Sequence, residues 1–400
     1  MLQSMLIGLG LLASLLPTIT IALPTTSHAG SQVSTWRPGL GSQQRNTVEI
    51  LDGPRGLRKV TYWTSNGVVI IDGDVAYGSE EEFSEAVQAA KQMKMHPGSE
   101  SDRQRRALSW DAGINTWPGA EVVFAYESEE AEASAGDLLK RGMTIWKEKA
   151  PYLKFTKRSY SKQGTKGALV ITAQECGGCN APVGYHNGTM TLNLQPGCPG
   201  SSAGCALSEA VHELGHVLGK STFPSNVYRL IYIILGFFHE HQRPDRAEVV
   251  DVLCQNVDPK CSVLPIGKTC CDHKDEDFPG ECCQLMSNFD PLKAGPGTFI
   301  DADGPYDIMS VMHYRADGFG LNHTVTLVSK DPRTPVPLVA RDEPSKADVA
   351  RLCARYSKEC ADGTSTSSDP ISSTRTTARP TSTRISLMPS HYHNITVDDR

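Results

Sequence analysis

Read as a string of apolar and polar positions, the chain changes period several times. Three short runs have the apolar, β-branched character of strands: Ala120–Glu127 (AEVVFAYE), Ala168–Ala173 (ALVITA) and Thr189–Leu194 (TMTLNL). Between the first two, residues 134–151 place Leu138, Leu139, Met143, Ile145 and Trp146 at roughly helical spacing. A second helix is predicted over residues 206–219. There Ala206, Leu207, Ala210, Val211, Leu214, Val217 and Leu218 form one apolar stripe. The order strand, helix, strands, helix predicts a sheet with helices packed against it.

The flanks differ from this middle. Leu6–Leu23 is an apolar run ahead of PTTSHAG, and the first lysine or arginine is Arg37. The run reads as a secretory signal over 1–23 that lacks a basic start. No other run reaches spanning length, so no membrane span is expected once the signal is removed. Arg103, Arg105 and Arg106 form a tight basic cluster in a polar stretch. In a secreted chain that is a site for a processing protease acting after Arg106. Residues 24–106 would then be a propeptide and Ala107 a new N-terminus. After Cys360, serine and threonine supply 16 of the last 40 residues, too polar for a core, so 361–400 is expected to be a flexible tail.

Composition narrows the class. Net charge is −6 with 21% charged residues, so nothing in the composition points to a nucleic-acid-binding surface. All twelve cysteines lie between Cys176 and Cys360. In an extracellular protein they would pair, with the dense stretch from Cys254 to Cys283 forming a stapled loop region. Asn187, Asn322 and Asn394 match the glycosylation acceptor pattern.

The second helix carries chemistry. His212 and His216 are four apart, so both imidazoles leave one face of the helix. Glu213 lies beside that face, where a general base next to a zinc ion belongs. Gly219 follows three residues after His216, and glycine lets the chain leave a helix and double back. A third histidine could then reach the metal, but 17 residues, Lys220–Gly236, come first. Only then does FFHEHQRPDR begin.

Without those 17 residues the text reads HELGHVLGFFHEHQRPDR. That resembles the long zinc signature of the astacin family of metalloendopeptidases. PYDIMSVMHY (Pro305–Tyr314) is similar to the family's Met-turn. The resemblance covers about 107–360 and implies an α+β, metzincin (zincin-like) catalytic domain of two lobes. The N-terminal lobe would be a twisted sheet with helices, the C-terminal lobe largely irregular and disulfide-stapled. It implies one zinc ion held by His212, His216 and His239, with Glu213 as general base. Met312 would lie beneath the metal, and Tyr314 would stabilise the transition-state oxyanion. It implies protein or peptide substrates and secretion as a zymogen. Asp74, in IDGD, would be the latch that fills the open metal position, although the family's preceding Phe is missing. After cleavage the amino group of Ala107 would meet Glu240. Cys179 and Cys198 match a family disulfide in position, whereas Cys360 has no usual partner and would pair with Cys353 or with the inserted cluster.

Two readings of 220–236 stand. In one the segment loops out and the site survives. In the other it is a retained intron: Gly-Lys-Ser can be encoded as an intron start, and excision restores the reading frame. We favour the second. The chain as printed would then hold metal through His212 and His216 only, and the alternative function is an inactive secreted binding module on a protease scaffold.

Overall fold

The computed structural model describes residues 45–51, 57–95, 116–161, 166–186, 190–195, 197, 204–219, 233–234, 237–261, 263–274, 278–292, 299–300 and 304–365. The expected signal, Arg106, Ala107, Cys198 and most of the tail lie outside them.

The first unit is an antiparallel meander of β1 (Asn46–Leu51), β2 (Leu57–Ser65), β3 (Val68–Ile71) and β4 (Val75–Ser79), followed at once by α1 (Glu80–Met95). Asn66-Gly67 joins β2 to β3, and both residues have positive φ, as a two-residue hairpin requires. A capping box starts α1. The Ser79 amide donates to Glu82 Oε2 at 2.7 Å, and the Glu82 amide donates to Ser79 Oγ at 3.2 Å. Phe83, Ala86 and Ala90 bury one stripe of α1. Phe83 and Ala86 pack with Ile50, Val60, Val69 and Ile71.

The second sheet runs β6-β5-β7-β9-β8. It is built from β5 (Glu121–Tyr126), β6 (Lys154–Lys157), β7 (Leu169–Thr172), β8 (Cys179–Asn180) and β9 (Thr191–Leu194). β5, β6, β7 and β9 pair in parallel, and β8 is antiparallel to β9. Parallel strands need apolar cover. Helices α2 (Glu129–Lys149) and α3 (Leu207–Leu218) share one core with them, including Val122, Leu139, Trp146, Leu169, Leu192, Val211 and Leu214. The Ala131 amide donates to the Ser128 side chain at the start of α2. Glu129, Glu130 and Glu132 lie in its first turn, and Lys147 and Lys149 in its last, as the helix dipole favours. The expected strands and the second helix are present with ends trimmed, whereas α2 starts five residues before the expected 134, at the Ser128 cap. β6 escapes the sequence pattern because it is an exposed edge with little apolar signal.

The rest is mainly turns and short 3-10 segments, with β10 (Ile233–Ile234) paired to β12 (Phe299–Ile300), and β11 (Val250–Val252) paired to β13 (Leu327–Ser329). Cys254–Cys271, Cys261–Cys282 and Cys270–Cys283 staple it. Closing loops of this size stabilises by roughly 3 kcal/mol each in the chain-entropy account. The expected α+β, two-lobed architecture with a stapled C-terminal lobe is therefore present. Helix α4 (Lys346–Arg355) leads into α5 (Ser357–Ser365), which continues past Cys360 where a flexible tail is expected. The Cys353–Cys360 disulfide and the bond from Cys360 N to Tyr356 O (2.7 Å) hold its start. Among the described residues no helix is long and apolar enough to cross a membrane.

Two expectations need correction. Cys179 pairs with Cys205, not Cys198. The Cys205 amide donates to Gln195 O at 2.9 Å, which sets residue 205 at the end of β9, beside the β8 strand that carries Cys179. Secondly, His239 reaches His212 and His216 with residues 220–236 in the chain. A Cβ on Gly219 would lie 2.8 Å from the backbone nitrogen of Phe237, so the ends of the insertion meet and the third histidine is carried in from there.

Candidate metal centre

Helix α3 is held at both ends. At its start the Ala206 amide donates to Glu209 Oε2 at 2.8 Å. At its end, carbonyls with no partner within the helix are met from outside. Gly184 N donates to His216 O at 3.0 Å, Trp117 Nε1 to Val217 O at 2.8 Å, and Tyr356 OH to Leu218 O at 3.3 Å. Trp146 Nε1 donates to Val211 O at 2.9 Å. The histidine-bearing turn therefore cannot fray without breaking several buried bonds.

Each histidine has one nitrogen occupied. His212 Nδ1 donates to Val311 O and His216 Nδ1 to Phe237 O, both at 2.6 Å, and His239 Nδ1 lies 3.3 Å from Gln242 Oε1. The two carbonyls put the proton on Nδ1 of His212 and His216 and leave their Nε2 atoms facing the space that His239 also enters. Nε2 of His212 and of His239 are 3.3 Å apart. Burial pushes the pKa of His212 down to about 3 and lowers that of His216, so both rings stay neutral.

Asp74 enters this space from the turn between β3 and β4. Its Oδ1 is 2.9 Å from His239 Nε2 and 3.6 Å from His216 Nε2, and its Oδ2 is 3.6 Å from His212 Nε2. Burial opposes its charge, but His239, His216 and His212 outweigh that and hold the carboxyl well below the usual range. The turn is shaped for this. Asp72 and Gly73 have φ of 51° and 96°, and a Cβ on Gly73 would lie 2.2 Å from the Tyr314 hydroxyl. Arg58 grips both carboxylate oxygens of Asp72.

Glu213 is fully buried beside the group, and neither carboxylate oxygen has a hydrogen-bond partner. Burial, then the nearby charges of Asp74 and Glu209, raise its pKa well above the ordinary value. Below the helix, a Cβ on Gly215 would lie 2.5 Å from Met312 Sδ, so the methionine lies against the helix backbone. Asp348 holds the turn that carries Met312. It accepts from Ser310 Oγ at 2.6 Å and from Val311 N at 3.0 Å. Val311 O is the same carbonyl that fixes His212. Tyr314 is buried, its ring stacks on His241 at 3.9 Å, and its hydroxyl donates to Asp72 O at 2.8 Å.

Glu240 accepts from Arg351 at 2.7 and 3.0 Å, from Arg243 at 3.1 Å and from the Asp307 amide at 2.7 Å. Its expected partner, the amino group of Ala107, lies outside the described residues. Arg243 also clasps Asp245, and Arg246 donates to the carbonyls of His241 and Phe289. These trailing residues thus lock the turn that follows His239. The sequence pattern missed Asp348, His241 and Arg351. Of these, only Asp348 has a local signal, since Ser345 and Asp348 form a capping box.

A sequence model of the astacin peptidase family matches residues 110–222 and 284–357. The chain belongs to the astacin family. The unmatched middle holds most of the insertion, His239 and the stapled loops. Tolloid-like protein 1 of Mus musculus is 25% identical over 282 residues, 70% of this chain and 22% of that protein. Zinc metalloproteinase nas-14 of Caenorhabditis elegans is 29% identical over 185 residues, 45% of this chain and 27% of that one. The chain thus spans about a quarter of the length of these relatives. Among solved structures, high choriolytic enzyme 1, a hatching enzyme zinc-protease from Oryzias latipes, aligns with a TM-score of 0.41 and 18% identity, covering 62% of this chain and 94% of that one.

Zinc, the metal of astacins, suits these residues. Asp74, His212, His216 and His239 offer ligand atoms within 4.8 Å of one another, all four residues buried. His216 Nε2 and both Asp74 oxygens lack hydrogen-bond partners there. Neutral imidazoles and a carboxylate are the donors zinc takes.

Proposed function

We propose that the chain is a secreted zinc endopeptidase made as a zymogen, with 24–106 as its propeptide and Arg106-Ala107 as the processing point. The observation that carries this reading is the convergence of three imidazole nitrogens on the Asp74 carboxylate, with unpartnered Glu213 beside them. Disulfide bonding of the described cysteines fits an extracellular setting.

His212, His216 and His239 would hold the metal. Bound zinc would polarise the scissile carbonyl and ease loss of a proton from water. Asp74 fills the position that substrate and water need, so its departure opens the site. Departure also removes one of the charges that raise the pKa of Glu213, which moves Glu213 toward the ionised form a base requires. Glu213 then accepts a proton from water and passes it to the leaving amine. Loss of Asp72 frees the Tyr314 hydroxyl to donate to the oxyanion. The backbone of Ala181 now exchanges bonds with Asp74 O and Ala76 N at 3.0 and 2.8 Å. Once released it can pair with a substrate strand instead.

The test is a peptidase assay on chain cut after Arg106 and freed of the propeptide, with an unfolded protein as substrate. Chelation should stop turnover and zinc should restore it. Glu213→Gln should lower turnover by roughly 10²–10⁴-fold with zinc content unchanged. Equal turnover in the variant would overturn the mechanism. Zinc binding without any turnover in the parent would favour the binding-module alternative.

A further inference from the structure

We infer that residues 45–95 are a self-standing inhibitor domain whose binding face fits both lobes of the catalytic domain of its own chain. The inference rests on the zymogen reading above and goes beyond it. Cutting the linking chain should not by itself expose the site.

The unit is built to fold alone. Its four strands pair in chain order, each with its neighbour, and α1 follows directly. Such local contacts form without help from distant chain. Seven of its residues, Ile50, Val60, Val69, Ile71, Val75, Phe83 and Ala86, make up its main core, to which the rest of the protein adds only buried Val183 and partly buried Phe238 among the described residues.

The tip that enters the metal centre is also shaped from within. Strands β3 and β4 pair on either side of it, and Arg58, from β2, clamps Asp72. Asp74 is therefore presented by a formed hairpin. An extended peptide would lose conformational freedom on docking, and a folded hairpin has already lost it.

The binding face spans the cleft. On the sheet side, Ala76 N donates to Ala181 O at 2.8 Å and Ala181 N donates to Asp74 O at 3.0 Å. On the opposite side, Tyr314 OH donates to Asp72 O and Thr61 Oγ1 donates to Gln284 O, both at 2.8 Å. A Cβ on Gly73 would meet the Tyr314 hydroxyl and Phe319. These contacts all come from residues 61–76, so cleavage after Arg106 leaves each of them in place.

The experiment uses the full chain with a site-specific protease sequence in place of residues 103–106. After complete cutting at neutral pH, the N-terminal fragment should co-elute with the remainder on size exclusion. Turnover should stay roughly tenfold or more below that of remainder stripped of the fragment. Returning the released fragment at one equivalent should restore the inhibition. A fragment that separates at once, with turnover rising in step with cutting, would overturn the inference. Stripped remainder that keeps its zinc but never turns over would overturn the peptidase reading instead, and co-elution would still decide whether the binding face exists.

Discussion

The backbone nitrogen of Phe237 lies 2.8 Å from where a Cβ on Gly219 would be, although 17 residues separate the two in sequence. The junction is structural as well as spatial. Gly219 ends the helix that bears His212 and His216, and Phe237 O accepts from His216 Nδ1. Both ends of the insertion are thus fastened to the metal centre. We predict that deleting 220–236 and joining Gly219 to Phe237 leaves one zinc per chain and no loss of thermal stability. Elemental analysis and a melting curve check this. Loss of zinc in the deletion variant would show that the segment is needed to seat His239.

Stability of the metal-free chain should fall with acid. Burial holds His212 near 3 and His313 near 4, both far below the ordinary 6.5. Below pH 6.5 the unfolded chain takes up protons that the folded chain refuses. Each such histidine then removes up to about 1.4 kcal/mol per pH unit. That loss ends near pH 4 for His313 and near 3 for His212, where the folded rings also protonate. Asp74, held below its usual range, adds to the loss once the pH drops under the ordinary carboxylate value of about 4. Urea unfolding of chelated protein from pH 7 to 5 should show a falling midpoint. Glu213 and Glu240, raised by burial, oppose the fall by binding protons on folding, so a profile that is flat in Glu213→Gln as well would contradict the neutral, buried histidines.

Arg351 neutralises a carboxylate next to a metal-facing histidine. Its side chain is 12% exposed and that of Glu240 is 5% exposed, so the pair is largely screened from water. Burial raises the pKa of Glu240 and the arginines oppose the rise. Arg351→Gln leaves Arg243 as the remaining cation. It should cost roughly 1–3 kcal/mol, less than the loss of a sole buried partner. Denaturant unfolding of the full chain measures it, and an unchanged midpoint would show that Arg243 alone suffices.

How much of this was legible depended on distance along the chain. The helix of His212, Glu213 and His216 is written in a local period, and its apolar stripe, Leu214 included, is the face that shares a core with Trp146. His239 was reachable only by resemblance, since 17 intervening residues break the pattern. The partner of Cys179 was not legible, because it depends on a backbone bond that places residue 205 beside β9. The bond between Tyr314 and Asp72 joins residues 242 positions apart, and no local rule predicts it. The fold of 45–95 did have signals, in Asn66-Gly67, in Asp72-Gly73 and in the Ser79–Glu82 cap. They are turn and cap chemistry rather than apolar period, so a reading led by period passes over them.

Three imidazoles and the Asp74 carboxylate should share one metal in the uncut chain, and the rest of the mechanism depends on that. X-ray absorption at the zinc edge, on intact protein and on Asp74→Ala, tests it most directly. One zinc per chain with three imidazole ligands is expected in both proteins, with a carboxylate ligand in the intact protein that the variant lacks. Two imidazoles, or identical spectra from the two proteins, would contradict it.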